Sequence, residues 1–132
     1  MQIKLIGIET IFHIGGPSYD IVSRFKKLVS IGAIDLNKLR IISINYNTTT
    51  GDSSKGPVRL YFTDGLAVYL NLTAGYSGSG PTDLCEILNF CKVEFNKDDI
   101  TSHQDVVEIK YTLDGSERYQ FCLPDGDFLY TF

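Results

Sequence analysis

The sequence has no excess of positive charge: sixteen acids outnumber twelve bases, for a formal net charge of −4. Non-specific nucleic-acid binding needs a basic field, so the balance argues against it. No apolar run approaches the roughly 20 residues of a membrane-spanning helix, and no basic-then-apolar leader opens the chain. The expectation is a soluble, cytoplasmic protein without membrane contact. Cysteine is scarce. Cys85, Cys91 and Cys122 are an odd number without metal-type spacing, which reads as reduced, buried thiols. Histidine is limited to His13 and His103. No serine–histidine–acid signature appears, and Asp98-Asp99 lacks the loop pattern of a calcium site. The polar, glycine-rich run at 47–56 lacks the G-x-x-x-x-G-K-[ST] order of a phosphate-binding loop, so it reads as an exposed loop. These absences predict no cofactor, no metal and no enzyme.

What is present fits one globular domain over residues 1–132, with 43% hydrophobic and 21% charged residues. The chain is organised around residues 57–91. Val58, Leu60 and Phe62 alternate with Arg59, Tyr61 and Thr63; Leu66, Val68, Leu70 and Leu72 alternate with Ala67, Tyr69 and Asn71. Period two on both sides predicts two half-buried strands. A two-residue turn at Asp64-Gly65 would set one strand's apolar face beside the other's polar face. A three-residue loop Thr63-Asp64-Gly65 pairs Phe62 with Leu66 and Leu60 with Val68, and puts glycine where a left-handed residue is needed. After the link G-Y-S-G-S-G-P, Leu84, Ile87, Leu88 and Cys91 form one apolar helical stripe, with Asp83 and Glu86 near the helix start.

Residues 3–14 are almost continuously apolar and β-branched. They predict a strand, or two with a kink near Gly7, buried on both faces and able to pair in parallel. A helix follows over 18–31, with Ile21, Val22, Phe25, Leu28 and Val29 inward, Arg24, Lys26 and Lys27 solvated, and Gly32 ending it. One short turn over 35–39 leads to a strand over 40–46. The last third reads as a meander. L-D-G at 113–115 aligns Ile109 with Tyr119, and P-D-G at 124–126 aligns Phe121 with Leu129. The fold class is α+β, a mostly antiparallel sheet of about six strands with two main helices packed on it.

Both helices are entered through glycine, then Pro17-Ser18 or Pro81-Thr82. Such entries can cradle anions. Here each proline removes a donor, and Asp20, Asp83 and Glu86 would repel a phosphate, so shared helix-start chemistry is the preferred reading. Acid concentrates at Glu94, Asp98, Asp99 and Asp105, with Asp83 and Glu86 one helix earlier. Tyr61 and Tyr69 fall on the outward face of their strands and Tyr76 in the glycine link. Tyrosines beside carboxylates are residue types that anchor a protein interface, and a negative patch speeds docking onto a basic surface. The predicted partner-binding set is Tyr76, Asp83, Glu86, Glu94, Asp98, Asp99 and Asp105.

The run L-Y-F-T-D-G-L-A-V-Y-L, followed by G-Y-S-G-S-G-P-T-D-L-C-E-I-L, resembles small bacterial immunity proteins encoded beside polymorphic or contact-dependent growth-inhibition toxins. The resemblance spans residues 60–91. It implies a cytosolic protein that binds and blocks one toxin domain, often a nuclease, and it assigns no residue roles. The alternative expectation is a small metal-independent nuclease or phosphate-ester hydrolase with His13 and His103 as acid and base. A third is an oligomerising protein that pairs its outer strand with another copy.

Overall fold

A computed structural model describes residues 3–45, 57–75, 77–102, 108–113, 118–123 and 128–130. The elements are β1 (Ile3–Gly7), β2 (Thr10–Ile14), α1 (Ser18–Ser30), a 3-10 turn (Leu36–Lys38), β3 (Leu39–Asn45), β4 (Val58–Phe62), β5 (Leu66–Leu70), α2 (Ser79–Phe90), α3 (Lys97–Thr101), β6 (Glu108–Thr112), β7 (Arg118–Cys122) and β8 (Phe128–Tyr130). The class is α+β, and most strand pairings are antiparallel. The strands are divided between a five-stranded sheet, β2-β5-β4-β3-β6, and a three-stranded sheet, β1-β7-β8. The loop read at 47–56, Tyr46, Tyr76, His103, Asp105, Val107 and the tips of both late turns lie outside the described residues.

The β4–β5 hairpin has the register of the three-residue loop: Leu60 faces Val68 and Val58 faces Leu70. Gly65 carries the positive φ of 86° that the loop requires. Its carbonyl accepts the N–H of Glu9 at 2.8 Å and of Thr10 at 3.2 Å. The turn of the hairpin thereby holds the crossing from β1 to β2.

Alternation in β4 and β5 feeds two cores. Leu60, Phe62, Val68 and Leu70 meet Phe25 of α1 and Leu84, Ile87 and Leu88 of α2. On the opposite face Tyr61, Ala67 and Tyr69 meet Ile41, Tyr119 and Phe121. The outward-facing reading of Tyr61 and Tyr69 is therefore corrected: they are 2% and 4% exposed, covered by the small sheet. A period of two says which residues share a face, not what lies over it.

The first apolar run is broken near Gly7 and pairs in parallel, β1 with β7 and β2 with β5. Burial on both faces does not hold for it: Ile3 and Leu5 are 45% and 64% exposed, because β1 is an edge of the small sheet. The late meander holds in one half. Phe121 faces Leu129, as the P-D-G spacing implies. Ile109 does not face Tyr119; it pairs with Ile44, while Tyr119 pairs with Lys4. The link between β6 and β7 crosses from one sheet to the other, because turn chemistry allows a reversal without choosing the partner strand.

The helices follow their apolar stripes. Gly32, at φ 81°, closes α1 with its N–H on the Val29 carbonyl at 3.1 Å. α3 had no periodic signal. Asn96 caps it, accepting the Asp98 N–H at 3.0 Å, and Ile100 is fully buried. No helix among the described residues is long and apolar enough to cross a membrane.

Gly65→Ala should destabilise the fold by about 1–3 kcal/mol, since an L-residue is strained at this φ. The added Cβ would also stand 3.2 Å from the Gly7 carbonyl oxygen. Urea unfolding of the variant against the parent protein measures the loss.

Candidate functional site

α2 turns Thr82, Glu86 and Asn89 toward the 93–97 segment. Between them runs a groove of about 670 Å³, which Glu94 and Lys97 also line. Two of the predicted carboxylates, Glu86 and Glu94, thus meet in one groove. Asp98 is exposed and Asp99 half-buried at the adjoining start of α3. Asp83 is half-buried and lies beyond the first turn of α2, which begins four residues earlier at Ser79. The helix-start dipole expected to favour Asp83 and Glu86 falls off within that turn. Tyr76 and Asp105 are outside the described residues.

The groove is not uniformly acidic. Lys26, read as solvated, donates to Glu86 at 2.7 Å and sits 5.4 Å from the centre of the Phe90 ring. Both partners are well exposed, so the ion pair is worth at most about 1 kcal/mol. Glu94 and Asp98 are the exposed acids on the far side of the groove, where Lys97 also lies. Cys85 lines the same groove; burial pushes its thiol up, and Lys97 opposes that. Cys91 lies deeper, and burial pushes its thiol up to about 12.

Sequence reasoning missed a second constellation. Across the five-stranded sheet, His13 pairs with Tyr69, Tyr69 with Arg59, Arg59 with Ser43 and Ser43 with Lys110. These residues form one straight row on the face that carries the small sheet. His13 meets Tyr69 edge-on at 5.3 Å, and the Arg59 guanidinium lies 4.7 Å from the centre of the same ring. Arg59 and Tyr69 also hydrogen-bond with the Tyr61 hydroxyl. Burial and the neighbouring Tyr69 push that phenol far above its ordinary value, with Arg59 pulling the other way. Ser43 donates to Glu108 at 2.7 Å, and Lys110 stands 4.0 Å from that carboxylate. His13 and Lys110 are exposed and Arg59 is half-buried. The row can therefore contact an anion or a carboxylate, and its imidazole can move a proton. The signal was in the alternation, but the row appears only when four separate registers are aligned.

His13, in a run expected to be buried on both faces, is instead exposed at a sheet edge. Whether it meets His103 lies outside the described residues. Among those residues, no group of three or more His, Cys, Asp or Glu is placed to hold a metal ion. The chain matches no family model, no curated protein and no solved structure.

The buried acids make stability sensitive to alkali. Above pH 9.0, the ordinary value for a thiol, an unfolded Cys91 releases a proton that the folded chain keeps up to about pH 12. The unfolded state then binds fewer protons, so stability falls as pH rises through that window, with a limiting slope of about 1.4 kcal/mol per pH unit. Tyr61 adds the same sign above its ordinary 10.0. Urea midpoints should drop across this range, and the drop should be shallower in a Cys91→Ala variant, where Cys85 still acts with the same sign.

Proposed function

We propose that the chain is an immunity protein: a cytoplasmic binding module that docks on a cognate toxin domain with a basic surface and blocks it. The observation that carries this reading is the exposed α2–α3 face, where Glu94 and Asp98 stand beside a groove wide enough for a partner's side chains. Its α2 wall ends the 60–91 stretch that resembles such proteins. Clustered carboxylates raise the encounter rate with a basic partner and set its orientation. Nucleases are basic along their substrate groove, and an acidic cover there would exclude nucleic acid.

The test pairs this chain with the toxin domain encoded beside it. Glu94→Lys with Asp98→Lys should slow association about tenfold at low salt and flatten its salt dependence. Both residues are exposed, so the fold should be unaffected. Association rates unchanged at low and high salt would remove this face from the interface.

The cross-sheet row favours a second reading, a small phosphate-ester hydrolase. His13 would move the proton, and Arg59, which shares the Tyr69 ring with it, would hold the phosphate. If so, purified protein cleaves RNA, and His13→Ala abolishes the cleavage. Full cleavage by that variant eliminates the role.

A further inference from the structure

β2 is the last strand of the five-stranded sheet on its side, with β5 as its one neighbour among the described residues. The direction of its backbone groups can be followed. Thr10 donates to Gly65 at 3.2 Å, and the Ile14 carbonyl accepts from Asn71 at 3.0 Å. In a parallel ladder alternate residues bond to the same side. Thr10, Phe12 and Ile14 therefore bond toward β5, and Ile11 and His13 direct their N–H and C=O groups to the open edge. At the end of that edge the Gly15 carbonyl, on the same side, accepts Arg24 Nη1 at 2.8 Å.

Beside the open edge lies a groove of about 430 Å³ between β2 and α1, floored by Phe12, Leu28 and Ile31 and rimmed by Arg24 and Lys27. Ile31 is 66% exposed, a large apolar side chain without a cover. Among the described residues that line the groove, Arg24 and Lys27 are cations and none is an acid. α1 is thus two-sided. Lys26 turns to Glu86 of α2, while Arg24 and Lys27 turn to the strand edge.

We propose that this edge receives an extended segment of a partner protein that alternates apolar and acidic residues. The segment adds a strand to β2 through the outward groups of Ile11 and His13. It sets an apolar side chain against Phe12, Leu28 and Ile31, and a carboxylate against Lys27 and Arg24. Main-chain bonds supply affinity in such strand addition, and the pocket and rim supply selectivity. Charge complementarity selects a foreign acidic segment over a second copy of this chain, because β2 itself reads T-I-F-H-I and brings no carboxylate. The inference does not depend on the α2–α3 face or on the immunity reading.

The test uses fluorescein-labelled synthetic peptides alternating leucine and glutamate, titrated with the intact chain and read by fluorescence anisotropy. Two control peptides carry lysine in place of glutamate, or N-methyl groups on alternate amides. The glutamate peptide should bind saturably, the lysine and N-methylated peptides should not, and Lys27→Glu should weaken binding about tenfold. Lys27 is exposed on α1, and an unchanged circular dichroism spectrum confirms that the variant folds. Four results would each overturn the proposal. They are no saturable binding, equal binding of the lysine or methylated peptide, binding indifferent to Lys27→Glu, and a dimer in sedimentation that the glutamate peptide fails to dissociate.

Discussion

The constraint on which the molecule rests is burial of the β4–β5 hairpin from both sides. Leu60, Phe62, Val68 and Leu70 need the helices over them, and Tyr61, Ala67 and Tyr69 need the small sheet. Neither layer alone would remove the hairpin from water, and the apolar area at stake is the largest favourable quantity available to a chain of this size. The aromatic side has its own geometry. Tyr61 lies 5.5 Å from Phe121 and 6.4 Å from Tyr69, ring separations at which offset and edge contacts attract. Gly65 ties the two layers at one point, since its carbonyl holds the crossing from β1 to β2.

That arrangement decides where polar chemistry can appear. The three strands β1-β7-β8 lie over the middle of the row from His13 to Lys110, where Tyr69 and Ser43 are buried, and its two ends, His13 and Lys110, are exposed. Tyr69 is buried there beneath Arg59 and His13, one ring supporting a guanidinium and an imidazole. The opposite layer yields a different surface. There the segment after α2 exposes Glu94, α3 exposes Asp98, and Lys26 pairs with Glu86. The outer side of β2 differs again, having cations and, among the described residues, no strand beside it. One small fold thus presents a mixed polar row, a partly acidic groove and a basic-rimmed edge, separated by the thickness of the sheet and the width of α1.

Much of the local structure was legible. The position of Gly65 after Thr63-Asp64 settled the hairpin register, because a slip of one residue would have put Leu60 and Val68 on opposite faces. The stripe Leu84, Ile87, Leu88 and Cys91 identified α2, and every member is buried. The candidate carboxylates were legible as residue types only. Their grouping depends on the 93–97 segment folding back along α2, and on Lys26 reaching Glu86 from an element sixty residues away. α3 escaped because a single turn of helix has no period to detect; its cap at Asn96 and the burial of Ile100 hold it.

By itself the sequence determined which residues share a face, the register of the β4–β5 reversal and the extent of α1, since φ/ψ preference and hydrophobic period are properties of neighbouring residues. The tertiary structure alone decided that Tyr61 and Tyr69 are core, that Ile109 pairs with Ile44 rather than with Tyr119, and that His13, Arg59 and Lys110 stand in one row. Those outcomes depend on which distant strand supplies the missing cover or the next ladder of hydrogen bonds. Alternation within a strand is the same whichever partner is chosen.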